Sequence, residues 1–133
     1  MLYHQQWVLS NTPKREKTNT TKKLLLFGAG KVGRSLIGQL FSSSGYEVVF
    51  VDVDDTLVKE LNEKRSYFVE IIAVHERKIF VDNVRAVHGN DVEKVAFEIA
   101  TADVVATAIG VNNLRYIYAT LAKGLLKRRE MNR

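Results

Sequence analysis

The chain has 133 residues, one domain's length, of which 46% are hydrophobic and 26% charged, the balance of an ordinary globular domain with enough apolar material for a core. It contains no cysteine, which excludes disulfides and thiolate metal sites and is compatible with the cytoplasmic location expected here. The formal net charge of +5 would suit a nucleic-acid partner, but the basic residues sit at the two ends. Lys14, Arg15, Lys17, Lys22 and Lys23 face only Glu16 at one end, and Lys127, Arg128, Arg129 and Arg133 face only Glu130 at the other. Residues 24–126 are net acidic. A nucleic-acid footprint runs as a basic stripe across a fold, so none is expected. No run approaches the roughly 20 apolar residues of a membrane helix, and Met1–Ser10 lacks the basic start and apolar stretch of a secretory signal.

Residues 1–22 are polar, rich in Asn, Thr, Lys and Arg, and hold the only proline, Pro13. They are expected to form a mobile tail ahead of a domain over 23–133. Leu24–Phe27 is a continuous apolar run, as in a parallel strand buried on both faces. It stops at Gly28-Ala29-Gly30. Val32, Leu36, Ile37, Leu40 and Phe41 follow at helical spacing and predict one buried helix face, closed by Ser42-Ser43-Ser44-Gly45. Val48–Val51 predicts a second buried strand ending at Asp52. Asp54 or Asp55 is placed to cap a short helix over Leu57, Val58 and Leu61.

Tyr67–Val74 and Ile79–Val81, joined by the charged stretch His75–Lys78, predict a β-hairpin inserted into the pattern. Val84–Val87 predicts a third parallel strand. Asn90 or Asp91 would cap a helix with Val92, Val95, Ala96 and Ile99 on one face. Val104–Ala108 reads as another buried strand, turning at Gly110. Leu114, Ile117, Tyr118, Leu121 and Leu125 predict a last helix whose basic end, Lys127-Arg128-Arg129, complements the helix dipole in solvent. Strands and helices alternate, which implies an α/β, doubly wound, mostly parallel Rossmann-like sheet with the hairpin as an insertion.

Gly28-Ala29-Gly30-Lys31-Val32-Gly33 reads G-x-G-x-x-G. The motif alone is weak, but here it follows a buried strand and opens a helix, as the dinucleotide fingerprint requires. Gly28 serves the tight turn, Gly30 lets backbone approach a pyrophosphate, and Gly33 lets helix and strand pack closely. Free amides at the helix start then hold phosphate charge. Asp52 stands 19 positions after Gly33 at the end of the second strand, where a carboxylate accepts from ribose hydroxyls and repels a 2′-phosphate. The expected cofactor is therefore NAD. Gly28–Ser35 also reads G-x-x-x-x-G-R-S, close to a triphosphate-binding loop, but Arg34 stands where that loop needs lysine. Thr107, Ala108 and Gly110, at the end of a parallel strand, are candidate cofactor neighbours. No catalytic residue is assigned: His4, His75 and His88 lack any partner motif, and no spacing suggests a metal site.

Phe27-Gly28-Ala29-Gly30-Lys31-Val32-Gly33-Arg34 resembles the FGAGNIGRG opening of the mannitol-1-phosphate 5-dehydrogenase family. Ser42–Val53 is similar to that family's second strand, and Leu61-Asn62-Glu63-Lys64 with Tyr67 to its next helix and hairpin. Thr107-Ala108-Ile109-Gly110 resembles its TAVG, and Ala122–Leu125 with Lys127-Arg128 its AKGLVKRK. The resemblance covers residues 23–130. It implies an N-terminal NAD-binding domain of an oxidoreductase that interconverts mannitol 1-phosphate and fructose 6-phosphate, so a sugar phosphate is the implied small-molecule partner. It also implies that Phe27, Lys31, Val32 and Arg34 belong to the cofactor loop with the glycines and Ala29. Ser35 stands where the family has glycine and Val111 where it has proline. The family's catalytic lysine lies in a C-terminal helical domain, which is absent from residues 1–133. The alternative expected is a non-catalytic, stand-alone NAD-binding module or a truncated gene product.

Overall fold

The computed structural model describes residues 21–71 and 77–133. Residues 1–20 of the tail expected over 1–22, His4 among them, and His75 lie outside those residues. Four parallel strands form the main sheet: β1 (Lys23–Phe27), β2 (Glu47–Asp52), β5 (Val84–His88) and β6 (Val104–Thr107). Their order is β5-β2-β1-β6, which with the hairpin left out is the 3-2-1-4 order of the first four strands of a doubly wound nucleotide-binding sheet. The inserted hairpin pairs β3 (Ser66–Ile71) antiparallel with β4 (Arg77–Asp82), placing Tyr67 opposite Val81 and Phe68 opposite Phe80. Arg77 and Lys78, expected in the hairpin's turn, are strand residues opposite Ile71 and Glu70.

The apolar runs explain the layers. Leu24, Leu26, Val48, Phe50, Val84 and Ala86 face the first helix, α2 (Asp55–Lys64) and the hairpin. Leu25, Phe27, Val49, Val51 and Val87 face α3 (Val92–Thr101) and the last helix. Successive side chains of a strand point to opposite faces, so only strands covered on both sides read as unbroken hydrophobic runs. β1 and β2 meet that condition. β6 does not: it is an edge strand, with Val104 and Ala106 packed inward and Val105 exposed, against the expectation of full burial.

Asp54 caps α2, its carboxylate accepting from the Leu57 amide at 3.1 Å, and Asp91 caps α3 through the Lys94 amide at 3.3 Å. Each side chain satisfies an amide that the first helical turn leaves without an intrahelical partner.

Two helices differ from the sequence expectation. After the glycine loop the chain forms a wide-turned π-helix (Gly33–Gly38) that tightens into α1 (Gln39–Ser43). The buried face is shifted by one residue from the expected one. Gly33, Gly38 and Ser42 are buried, with Ile37 and Phe41 against the core. Val32, Leu36 and Leu40 are turned out, 59%, 55% and 52% exposed. The buried positions keep the expected spacing but lie one residue along, and a helical period alone does not fix its phase. The last helical region begins as a 3₁₀ segment (Val111–Ile117) before α4 (Tyr118–Glu130). Ile117, Leu121 and Gly124 face inward, while Tyr118 and Leu125 are exposed. A Cβ on Gly124 would lie 2.5 Å from Ile99, so the glycine sets how closely α4 approaches α3. Arg128 is no solvated helix end: its guanidinium donates to the Ala100 and Ala102 carbonyls, at 3.0 and 2.6 Å, and satisfies the C-terminal end of α3.

Candidate functional site

The carboxyl ends of β1, β2 and β5 open on a cleft of about 490 Å³ lined by Phe27, Gly28, Asp52, Asn90, Ile109 and Tyr116, among others. A second hollow of about 580 Å³, lined by Arg34, Glu60, Lys64 and Tyr67, lies toward α2 and the hairpin. Open α/β sheets bind ligands beyond their strands' carboxyl ends, which selects the first as the candidate cofactor cleft.

Gly28 turns the chain out of β1 with a φ of +104°, a conformation that L side chains rarely adopt. Its amide donates to the Val51 carbonyl at 2.8 Å, tying the turn to β2. The next amide, of Ala29, donates to Asp52 Oδ2 at 2.8 Å, and Asp52 Oδ1 accepts from the Asp54 amide at 3.0 Å. The carboxylate is thus fixed by one bond to the glycine loop and one to the turn after β2. An ionised carboxylate accepts about four hydrogen bonds, so two amides leave it capacity for the hydroxyls of a sugar.

A Cβ on Gly33 would meet the Gly28 carbonyl oxygen at 2.3 Å, an impossible approach, so the helix can sit this close to the loop only as glycine. Gly30 is exposed and a Cβ there would meet nothing within 4 Å. The two glycines therefore differ in what the fold asks of them. Gly33 is demanded by this fold, and Gly30 keeps a space open that the chain itself does not fill. Lys31 and Val32 are exposed on the same rim, at the helix start.

Arg34 does not extend as a phosphate-reaching side chain would. Its guanidinium turns back and donates to the Ala29 carbonyl. Of the predicted neighbours after β6, Ala108 is a packing partner. Its amide donates to the Phe27 carbonyl at 2.7 Å and its carbonyl lies against Gly28. Thr107 is exposed, Gly110 starts the 3₁₀ segment, and Ile109 is the residue of that turn that lines the cleft. Sequence reasoning missed Ile109, Asn113, Tyr116 and Thr120, which line the cleft from the turn after β6, the 3₁₀ segment and the start of α4. It also missed Gly89 and Asn90, at the turn after β5. The signal available was position alone, since both follow the ends of parallel strands.

His88 has structural partners on both ring nitrogens. Nδ1 accepts from the Asn90 amide at 3.1 Å and Nε2 lies 2.8 Å from Asp55. Among the described residues no cluster of three or more His, Cys, Asp or Glu side chains could hold a metal ion, and no helix is long and apolar enough to cross a membrane.

At the opposite, amino-terminal end of the strands lies a charged cluster. Arg85 of β5 forks onto Glu98 of α3, at 2.7 and 2.9 Å, and reaches Glu47 of β2 at 3.2 Å. Lys23 of β1 lies 2.7 Å from the same Glu98. Burial raises the Glu98 carboxyl, but the hydrogen bonds from Arg85 and Lys23 outweigh it and hold the group below its ordinary value. The cluster joins three strands and a helix at the end remote from the cleft.

Comparison with known proteins agrees with this geometry. The family model described as the mannitol dehydrogenase Rossmann domain matches residues 22–133. The chain is 48% identical over 102 residues to a mannitol-1-phosphate 5-dehydrogenase of Brevibacillus brevis, covering 77% of this chain and 26% of that one. It is 43% identical over 107 residues to the enzyme of the same name in Lactiplantibacillus plantarum, covering 80% and 28%. A third, from Aureobasidium melanogenum, is 42% identical over 110 residues, covering 81% and 28%. The chain therefore spans little more than a quarter of the length of these relatives. On the match across residues 22–133, the chain belongs to the family of mannitol dehydrogenase Rossmann domains.

Proposed function

We propose that the chain binds NAD in the cleft beside Asp52, with the pyrophosphate on the amides following Gly28 and the adenosine ribose on the Asp52 carboxylate. The observation that carries this reading is the Ala29–Asp52 hydrogen bond. It sets the phosphate loop and the ribose acceptor in one fixed frame, beside an open Gly30. Gly28, Ala29, Gly30, Lys31, Val32 and Gly33 form the loop and helix start, Phe27 its floor and Arg34 its brace. Thr107, Ala108 and Gly110 border the turn after β6. A second negative charge on the ribose would meet Asp52, with Asp54 and Asp55 just beyond it, so NAD is favoured over NADP.

Bound NAD would supply a hydride acceptor. The residues described here would bind and orient it. The substrate reading follows the relatives' printed names: a sugar phosphate, mannitol 1-phosphate, oxidised at a carbinol carbon by a protein of this family. His88, engaged by Asn90 and Asp55, favours a second reading in which residues 1–133 act as an NAD-binding module without turnover. Calorimetric titration of the 133-residue chain with NAD and with magnesium ATP separates the dinucleotide site from a triphosphate site. Binding of NAD and none of ATP is expected, and the reverse would overturn the assignment. NADH formation from mannitol 1-phosphate by the same chain decides between the enzymatic and modular readings. Little or no turnover is expected, and robust oxidation would contradict the modular one.

A further inference from the structure

A hydroxyl of the hairpin inserted between α2 and β5 bonds to the helix that follows the glycine loop. Tyr67 of β3 lies against Phe50, ring centroids 6.2 Å apart, and its hydroxyl donates to the Arg34 carbonyl at 2.7 Å. The Arg34 side chain in turn donates to the Ala29 carbonyl, and the Ala29 amide donates to Asp52. These bonds form one path from the hairpin to the acid that ends β2. We propose that Tyr67 is a positioning residue for the dinucleotide loop, holding the Arg34 backbone so that its guanidinium braces the pyrophosphate-binding turn.

Three features support the role. The contact requires Gly38, because a Cβ there would lie 2.5 Å from the Tyr67 hydroxyl and 2.9 Å from the Phe50 ring. The helix carrying Arg34 has π geometry from Gly33 to Gly38, a departure from regular hydrogen bonding that is frequent at functional sites. Burial pushes the Tyr67 phenol above its ordinary range, against the smaller opposing pull of Arg34, so the hydroxyl remains a donor. Asp52 keeps its separate bond to the Asp54 amide, so loss of the brace should loosen the phosphate end and spare the ribose end.

This inference rests on the NAD-binding reading, and the test separates the two. NAD, ADP and adenosine are titrated into the wild-type chain and into Tyr67→Phe, with thermal unfolding of both followed in parallel. The expected result is a loss of NAD and ADP affinity of about fivefold to tenfold, the equivalent of one ordinary hydrogen bond, with adenosine affinity unchanged. Arg34→Met should reproduce the pattern by removing the brace directly. Equal NAD affinity in wild type and Tyr67→Phe overturns the positioning role alone. A parallel loss of adenosine affinity also overturns it, by showing a general structural effect. A wild-type chain that binds no NAD overturns the parent reading and this inference with it.

Discussion

The backbone amide of Ala29 and the carboxylate of Asp52, 23 positions apart in sequence, share a hydrogen bond of 2.8 Å. The glycine loop and the acid after β2 therefore hold each other before any ligand arrives. Asp52→Ala removes the acceptor for two backbone amides as well as the proposed ribose contact. A hydrogen bond to a charged group is worth about 1.5–3 kcal/mol, so NAD affinity should fall about 10- to 100-fold. Calorimetry checks this, and an unchanged affinity would place the ribose elsewhere.

Gly30 and Gly33 should respond in opposite ways to the same substitution. Gly33→Ala forces a methyl group onto the Gly28 carbonyl and should cost about 1–3 kcal/mol or more of stability. Gly30→Ala meets no atom of the chain, so its unfolding midpoint should match wild type while NAD affinity drops at least about tenfold through lost backbone approach. Thermal unfolding and titration of the two variants side by side decide it. A Gly30→Ala chain that binds NAD normally would sink the loop assignment.

The cluster at the amino ends of the strands predicts an acid-sensitive fold. The Glu98 carboxyl is held below its ordinary value by Arg85 and Lys23. Its contribution is therefore present above the unfolded-state value of about pH 4.3 and is lost as pH falls through the lower, folded-state value. Glu98→Gln should lower stability at neutral pH by about 3 kcal/mol, as when one partner of a buried ion pair is removed, and should flatten the acid limb. Urea unfolding from neutral to acidic pH tests this. Parallel acid limbs in variant and wild type would remove Glu98 from the account.

Arg128 and Arg129 are neighbours with different consequences. Arg128→Ala leaves the Ala100 and Ala102 carbonyls at the end of α3 without their guanidinium donor and should cost about 1–3 kcal/mol. Arg129, exposed on the same helix, should change stability by no more than about 0.5 kcal/mol when replaced by alanine. Denaturant midpoints distinguish the two, and equal effects would contradict the capping role.

The parts of the fold legible in the sequence were those governed by local, periodic rules. Leu24–Phe27 and Val48–Val51 read as doubly covered strands and are so. Asp54 or Asp55, and Asn90 or Asp91, read as caps, and Asp54 and Asp91 fill those places. Gly28, Gly33 and Asp52 meet in space as their spacing required. What escaped depends on tertiary context. The helix after Gly33 buries the face one residue along from the expected one and leaves Val32, Leu36 and Leu40 exposed, because a helical period alone does not fix its phase. The 3₁₀ segment carried Asn113 and Tyr116 to the cleft. Burial of β6 was over-read from Val104–Ala108, because a hydrophobic run does not reveal that its strand lies at an edge. Tyr67 gave no signal as a partner of Arg34, since a side chain on an inserted hairpin reaches a helix backbone only once both are folded.

Preference between NAD and NADP tests the central claim most directly, because it reads the Asp52 carboxylate through one phosphate group. Calorimetric titration of the wild-type chain should show tighter binding of NAD, and Asp52→Ala should narrow the gap by removing the charge that repels the 2′-phosphate. Equal affinity for the two cofactors, or tighter NADP binding, by the wild-type chain would contradict the account.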